Sequence, residues 1–199
     1  MATVSPSRPP VFNLPNQLTA TRFVLSLVLF VLIAVQAWVW CLVVFLLAAL
    51  TDYLDGYLAR RQGLTSTLGR NLDPLVDKVL MCGAYIFLLP VDQAGLLPWM
   101  VTVVVARELV ITGLRSFMEN LGANFGADWL GKIKMGLQCA ALIAIFIYLH
   151  LLRTADASGD LLWLVGTARD GLIYAMLAAT ALSGLQYLWK ATTLLKTDE

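Results

Sequence analysis

From Phe23 to Thr51 the chain runs 29 residues without a charge. A membrane-crossing helix needs about 20 such residues. The run is therefore too long for one span and too apolar for the surface of a soluble domain. Gln36, Trp38 and Trp40 interrupt it near its middle. Tryptophan favours the membrane–water interface, so the run divides into two helices, about 18–36 and 39–61. Composition agrees: hydrophobic types make up 59% of the 199 residues and charged types 14%, where a soluble domain carries about 25% charged.

The rest of the chain repeats the pattern. Further apolar segments cover 72–89, ended by Pro90, then 98–119, 131–152 and 168–190. The expected fold is an all-α integral membrane protein with six transmembrane helices. Residues 1–17, with four prolines, form an N-terminal membrane-surface segment, 18–190 the six-helix domain and 191–199 a cytoplasmic tail. The apolar run after residue 17 is too long for a secretory signal and lacks a small-residue cleavage pattern. Basic residues gather at alternate ends of the spans: Arg8 and Arg22, then Arg60, Arg61 and Arg70, then Arg115, Lys132 and Lys134, then Lys190 and Lys196. The first and third connections have none, so the positive-inside rule puts both termini in the cytoplasm. Arg153 and Arg169, read as part of the fifth connection, run against it. Net charge is +1, which leaves no bulk nucleic-acid footprint. Cys41, Cys82 and Cys139 sit in apolar stretches without metal-ligand spacing and read as small buried hydrophobes.

In a chain so short of charge, the position of the charges carries the information. Eight of the 27 charged residues fall between Asp52 and Lys78, and Asp52 is the first acid of the chain. Asp52 and Asp55 are spaced i, i+3 on the second helix, and Asp73 and Asp77 i, i+4 on the third, so each pair shares a face. Two helices joined by a short polar loop pack as antiparallel neighbours, which brings four carboxylates together at one membrane boundary. Four close carboxylates do not all stay ionised without a cation. Hard divalent ions such as Mg²⁺ take oxygen ligands together with substrate phosphates, and two of them can clamp a phosphoryl transfer. Gly56, Ala59 and Gly69 leave room beside the acids for a phosphate or a planar group, and Arg60 supplies a cation at the helix end. The competing reading, that these acids only cap helices or pair with Arg60, Arg70 and Lys78, suits one pair better than two pairs with interleaved glycines.

The spacing Asp52-x2-Asp55-Gly56-x2-Ala59-Arg60-x8-Gly69-x3-Asp73-x3-Asp77 resembles the complete signature of the CDP-alcohol phosphotransferases. The resemblance implies a six-helix membrane enzyme that moves the phosphatidyl group of a CDP-linked lipid to an alcohol and releases CMP. It implies two divalent ions, Mg²⁺ or Mn²⁺, held by Asp52, Asp55, Asp73 and Asp77, with Asp77 also the general base. It implies a CDP pocket formed by Asp55, Gly56, Ala59, Arg60, Gly69 and Asp73. It also implies a homodimer with its active site facing the cytoplasm, at the inner membrane in a bacterium.

Three further stretches resemble one branch of that family, the phosphatidylglycerophosphate synthases. They are 15–22 (PNQLTATR), 72–78 (LDPLVDK) and 106–115 (ARELVITGLR). Where that branch often has Lys-x-Lys-Thr, this chain has Lys132-Ile133-Lys134-Met135. The implied donor is CDP-diacylglycerol and the implied acceptor sn-glycerol 3-phosphate. An acceptor that carries a phosphate needs cations, and the candidates are Arg107, Arg115, Lys132 and Lys134. Arg107 and Glu108 lie mid-helix, where charge is costly. Against these stand plain positive-inside flanking for the two lysines and a structural ion pair with Glu108 or an aspartate for Arg107. The lone His150 falls at the end of the fifth helix remote from the acids, and Trp38, Trp40, Trp99, Trp163 and Trp189 suit interfacial belts. The alternatives are a sibling enzyme using inositol phosphate, serine or phosphatidylglycerol, a CDP-lipid-binding protein without catalysis, or a divalent-cation transporter. Acids at one boundary rather than at the bilayer midplane weigh against transport.

Overall fold

The computed structural model describes residues 14–62, 67–120, 129–154 and 158–197, with side chains for 17, 19–51, 75–118, 129–154 and 158–193. Among these the fold is all-helical: α1 (Leu14–Ala34), α2 (Trp38–Gln62), α3 (Thr67–Leu88), α4 (Pro98–Asn120), α5 (Trp129–Arg153) and α6 (Gly159–Thr197), with a 3-10 turn at Asp92–Ala94. α1 packs on α2 and α3, α5 on α2 and α6, and α4 on α6 and α3.

The core is mainly apolar, but polar groups are buried within it and large apolar side chains also face outward. Arg22, Lys134 and Arg169 are buried together with Gln138, Thr180 and Ser183. Val24, Val31, Trp40, Leu47, Leu109, Leu164, Leu185 and Trp189 face outward. A patch of that extent has no place in water and suits a lipid solvent. α5 and the stretch Gly159–Thr193 of α6 are each long and apolar enough to cross a membrane.

Local chemistry sets the ends of the helices. α1 stops in a Schellman turn: the Gln36 amide donates to the Ile33 carbonyl and the Ala37 amide to the Leu32 carbonyl, both at 2.9 Å. Gln36 takes the left-handed position at φ 57°, which glycine usually fills. The Arg153 guanidinium closes that turn by donating to the Gln36 carbonyl at 2.7 Å. α4 opens on Pro98, whose missing N–H is not needed in a first turn. Gly83 lies where a β-carbon would come within 2.2 Å of the Phe30 ring, so α1 and α3 meet at backbone range there. Within the core, Phe45 and Phe146 meet edge-to-face and tie α2 to α5. The Tyr85 hydroxyl donates to the Gln138 carbonyl at 2.9 Å and ties α3 to α5.

Two expectations change. α6 starts at Gly159 rather than 168 and runs to Thr197 rather than 190. Gly159 and Asp160 resembled a loop, but an acid in the first turn suits the positive end of a helix. Arg169 is therefore helical and buried. It donates to the Gln93 carbonyl at 2.5 Å, pairs with Asp170 at 2.7 Å and stacks 4.1 Å from the Tyr148 ring. A charge with that many partners does not break a helix, and its discordance with the positive-inside pattern has a structural cause. Gly95, at φ 74°, sits beneath it, where an added β-carbon would press on Arg169 and Asp170 at 3.1 Å. Trp38 also departs from the interfacial reading: it is buried, whereas Trp40, Trp99, Trp163 and Trp189 are exposed. The three cysteines are free, Cys41 buried and the others half-buried.

Candidate functional site

The helices alternate in direction. The N-terminal halves of α1, α3 and α5 and the C-terminal halves of α2, α4 and α6 therefore share one end of the bundle, and the polar residues gather there. Asp52, Asp55, Gly56, Ala59 and Arg60 lie on α2, and Gly69 and Asp73 on α3, within the helical ranges. Their side chains lie outside the described residues. Asp77 is described. Its Oδ1 accepts from the Arg22 guanidinium at 2.7 Å, and Arg22 is 1% exposed. Ser26, one turn along α1, donates its hydroxyl to the Arg22 carbonyl at 2.8 Å. A buried arginine on α1 thus fixes the orientation of the last aspartate of the motif.

Beside Asp77 stands a basic cluster. Lys78 lies within Coulombic reach of Asp77, Arg107 and Arg115, and Lys134 within reach of Arg107 and Lys78. Glu108 is the acid among them. Its Oε1 accepts from Lys134 Nζ and, at 3.4 Å, from the Arg107 guanidinium. A second Arg107 nitrogen donates to the Ser183 hydroxyl of α6 at 2.9 Å. Among the described side chains, Lys78, Arg107, Arg115 and Lys134 stand near the acids Glu108 and Asp77, and cations held this close repel one another. A phosphate dianion entering among them relieves that repulsion.

Three of the four proposed acceptor cations thus gather in this cluster. Lys134 is buried and Arg107 and Arg115 are half-buried. Lys132 is exposed and, two residues before Lys134, projects from a different face of α5. Below the cluster the Nε2 of Gln138 and the Oγ1 of Thr180 are buried, without hydrogen-bond partners among the described residues. Buried polar atoms of this kind call for water or a ligand hydroxyl.

Comparison with known proteins fits this arrangement. The family model described as CDP-alcohol phosphatidyltransferase matches residues 12–181. The chain belongs to the CDP-alcohol phosphatidyltransferase family. A Bacillus subtilis relative is 35% identical over 154 residues, covering 69% of this chain and 78% of its own. One from Sodalis glossinidius is 32% identical over 185 residues, covering 90% and 94%. One from Pectobacterium atrosepticum is 35% identical over 140 residues, covering 67% and 76%. All three are named CDP-diacylglycerol–glycerol-3-phosphate 3-phosphatidyltransferase.

The family uses divalent metal ions. Of the four motif acids, Asp77 is the one whose side chain is described, and its half-exposed carboxylate is of the hard-oxygen type that such ions take. Among the described residues no group of three His, Cys, Asp or Glu gathers, and the other acids of the motif fall outside them. His150 sits in the last turn of α5, at the opposite end of that helix from Lys134.

Sequence reading of this family member missed Arg22 as the partner of Asp77, Lys78 as a member of the basic cluster, and Ser183 and Tyr187 as neighbours of Arg107. Arg22 and Lys78 were within reach, because both lie in stretches that match the family. For α6 the signal was fainter: Thr180, Ser183 and Tyr187 recur at i, i+3, i+7 on one face of an otherwise apolar helix.

Proposed function

We propose that this protein transfers the phosphatidyl group of CDP-diacylglycerol to sn-glycerol 3-phosphate, giving phosphatidylglycerophosphate and CMP. The observation that carries this reading is the group of Arg107, Glu108 and Lys134 joined across α4 and α5, with Arg115 and Lys78 near it and Lys78 next to Asp77 in the chain. Relatives named for the same two substrates support it.

Asp52, Asp55, Asp73 and Asp77 would hold two divalent ions, Mg²⁺ or Mn²⁺. Bound there, the ions would offset the charge of the donor's pyrophosphate and of departing CMP. Asp55, Gly56, Ala59, Arg60, Gly69 and Asp73 form the CDP pocket, the small residues leaving the nucleotide room. The cationic cluster seats the acceptor's phosphate, with Lys132 at its rim. That leaves the far hydroxyl of glycerol phosphate for Asp77, which Arg22 holds in place. Asp77 takes the hydroxyl proton as its oxygen bonds to the lipid-side phosphorus, and the bond from that phosphorus to the CMP oxygen breaks.

The same reading gives six spans, residues 18–190 forming the enzyme domain between a surface segment and a short tail. Both termini and the site face the cytoplasm, at the inner membrane in a bacterium, and the enzyme is a homodimer. Arg169, bound within the bundle, no longer opposes that topology. An acceptor panel tests the reaction. Purified protein with CDP-diacylglycerol and Mg²⁺ should release CMP with glycerol 3-phosphate and far more slowly with serine, inositol phosphate or phosphatidylglycerol. Preference for any of those three overturns the acceptor assignment.

A further inference from the structure

α6 carries no charge between Asp170 and Lys190, yet its inner face is polar where it meets Arg107. The Ser183 hydroxyl accepts from Arg107 at 2.9 Å. Its own proton is committed to the Thr180 carbonyl at 3.1 Å, which turns a lone pair toward the guanidinium. One turn further along, the Tyr187 ring lies 5.7 Å from the guanidinium carbon, within cation–π range. Between them Gly184 passes under the arginine's stem, where an added β-carbon would stand 3.4 Å from Cγ. Residues 180, 183, 184 and 187 follow i, i+3, i+4, i+7, so a single face of α6 makes this seat. Tyr187 is itself held in a small apolar cluster with Ile111, Met118 and Ala191.

We infer that Ser183 and Tyr187 are positioning residues that hold the Arg107 guanidinium in the orientation in which it receives the acceptor's phosphate. The inference rests on the reading of Arg107 as an acceptor-binding cation. An arginine side chain has many rotamers, and ordering it on binding weakens affinity. A seat built into α6 removes that loss before the ligand arrives. Glu108 alone does not supply it: its contact with Arg107 is 3.4 Å, and the same oxygen also accepts from Lys134. The hydroxyl of α6 and the ring above it define the plane of the guanidinium, and that plane decides whether a phosphate meets two donors or one.

Steady-state kinetics with each substrate varied tests this. Ser183→Ala should raise the KM for glycerol 3-phosphate about tenfold, with the KM for CDP-diacylglycerol unchanged. Ser183→Thr, which keeps the hydroxyl, should restore it. Tyr187→Leu, which removes the ring beside the guanidinium, should share the defect. In an Arg107→Ala background, Ser183→Ala should add nothing, because its effect runs through Arg107. An unchanged acceptor KM in Ser183→Ala, an equal rise in both KM values, or full additivity with Arg107→Ala overturns the inference. If Ser183→Ala does not fold, Ser183→Thr and Tyr187→Leu decide it by the same criteria. Wild-type turnover of serine in place of glycerol phosphate would instead overturn the proposed reaction, so the two failures are told apart.

Discussion

At the scale of single residues, one pairing organises the site. Arg22 is almost fully buried against Asp77, and a buried arginine without its carboxylate would be costly. Arg22 and Asp77 are therefore a unit, and the last acid of the motif is held in place. Asp77→Asn keeps the shape and a hydrogen bond to Arg22 but cannot take a proton. We expect its turnover to fall about 10³-fold, while binding of CDP-diacylglycerol, measured directly on the purified variant, stays within about threefold because the proposed CDP pocket is made by other residues. Turnover near the wild-type level would remove Asp77 from the role of base. That each aspartate pair falls within one helix was legible from its spacing, i, i+3 on α2 and i, i+4 on α3. Arg22 was not legible as its partner, since a contact between α1 and α3 spans 55 positions of sequence and periodicity speaks only within one helix.

At the scale of elements, hydropathy alone located all six helices, and it failed where charge is neutralised by neighbours. Arg169 resembled a loop residue because a sequence shows the charge and not the Gln93 carbonyl, Asp170 and Tyr148 that hold it. Trp38 resembled an interfacial anchor, but the tight Gln36 turn carries it into the core. Two arginines perform matching tasks at the end of the bundle away from Asp77: Arg153 ties α5 to the α1–α2 turn, and Arg169 ties α6 to the turn before α4. Arg169→Ala should lower the stability of the detergent-solubilised protein by about 2 kcal/mol, the scale of a charged hydrogen bond with a cation–π contact. A thermal-unfolding midpoint measures it. The KM for both substrates should stay as in wild type, because the lost contacts lie at the opposite end from the basic cluster. A changed acceptor KM with unchanged stability would contradict that division of labour.

For the whole molecule, an apolar core is combined, among the described residues, with an outer face that is also rich in large apolar side chains. Large apolar side chains cover much of the outside, and at one end cations from α1, α3, α4 and α5 gather near Asp77 and Glu108, while Arg169 is buried at the other. That arrangement puts a basic cluster at one end of a bundle whose outer face is largely apolar. The central claim is that the acceptor's hydroxyl oxygen becomes the new ester oxygen on the lipid's phosphorus. Glycerol 3-phosphate labelled with ¹⁸O in its C1 hydroxyl, incubated with purified protein, CDP-diacylglycerol and Mg²⁺, tests it by mass spectrometry of both products. The account predicts full retention of the label in phosphatidylglycerophosphate and none in CMP. Label lost to water, label in CMP, or no phosphatidylglycerophosphate at all would contradict it.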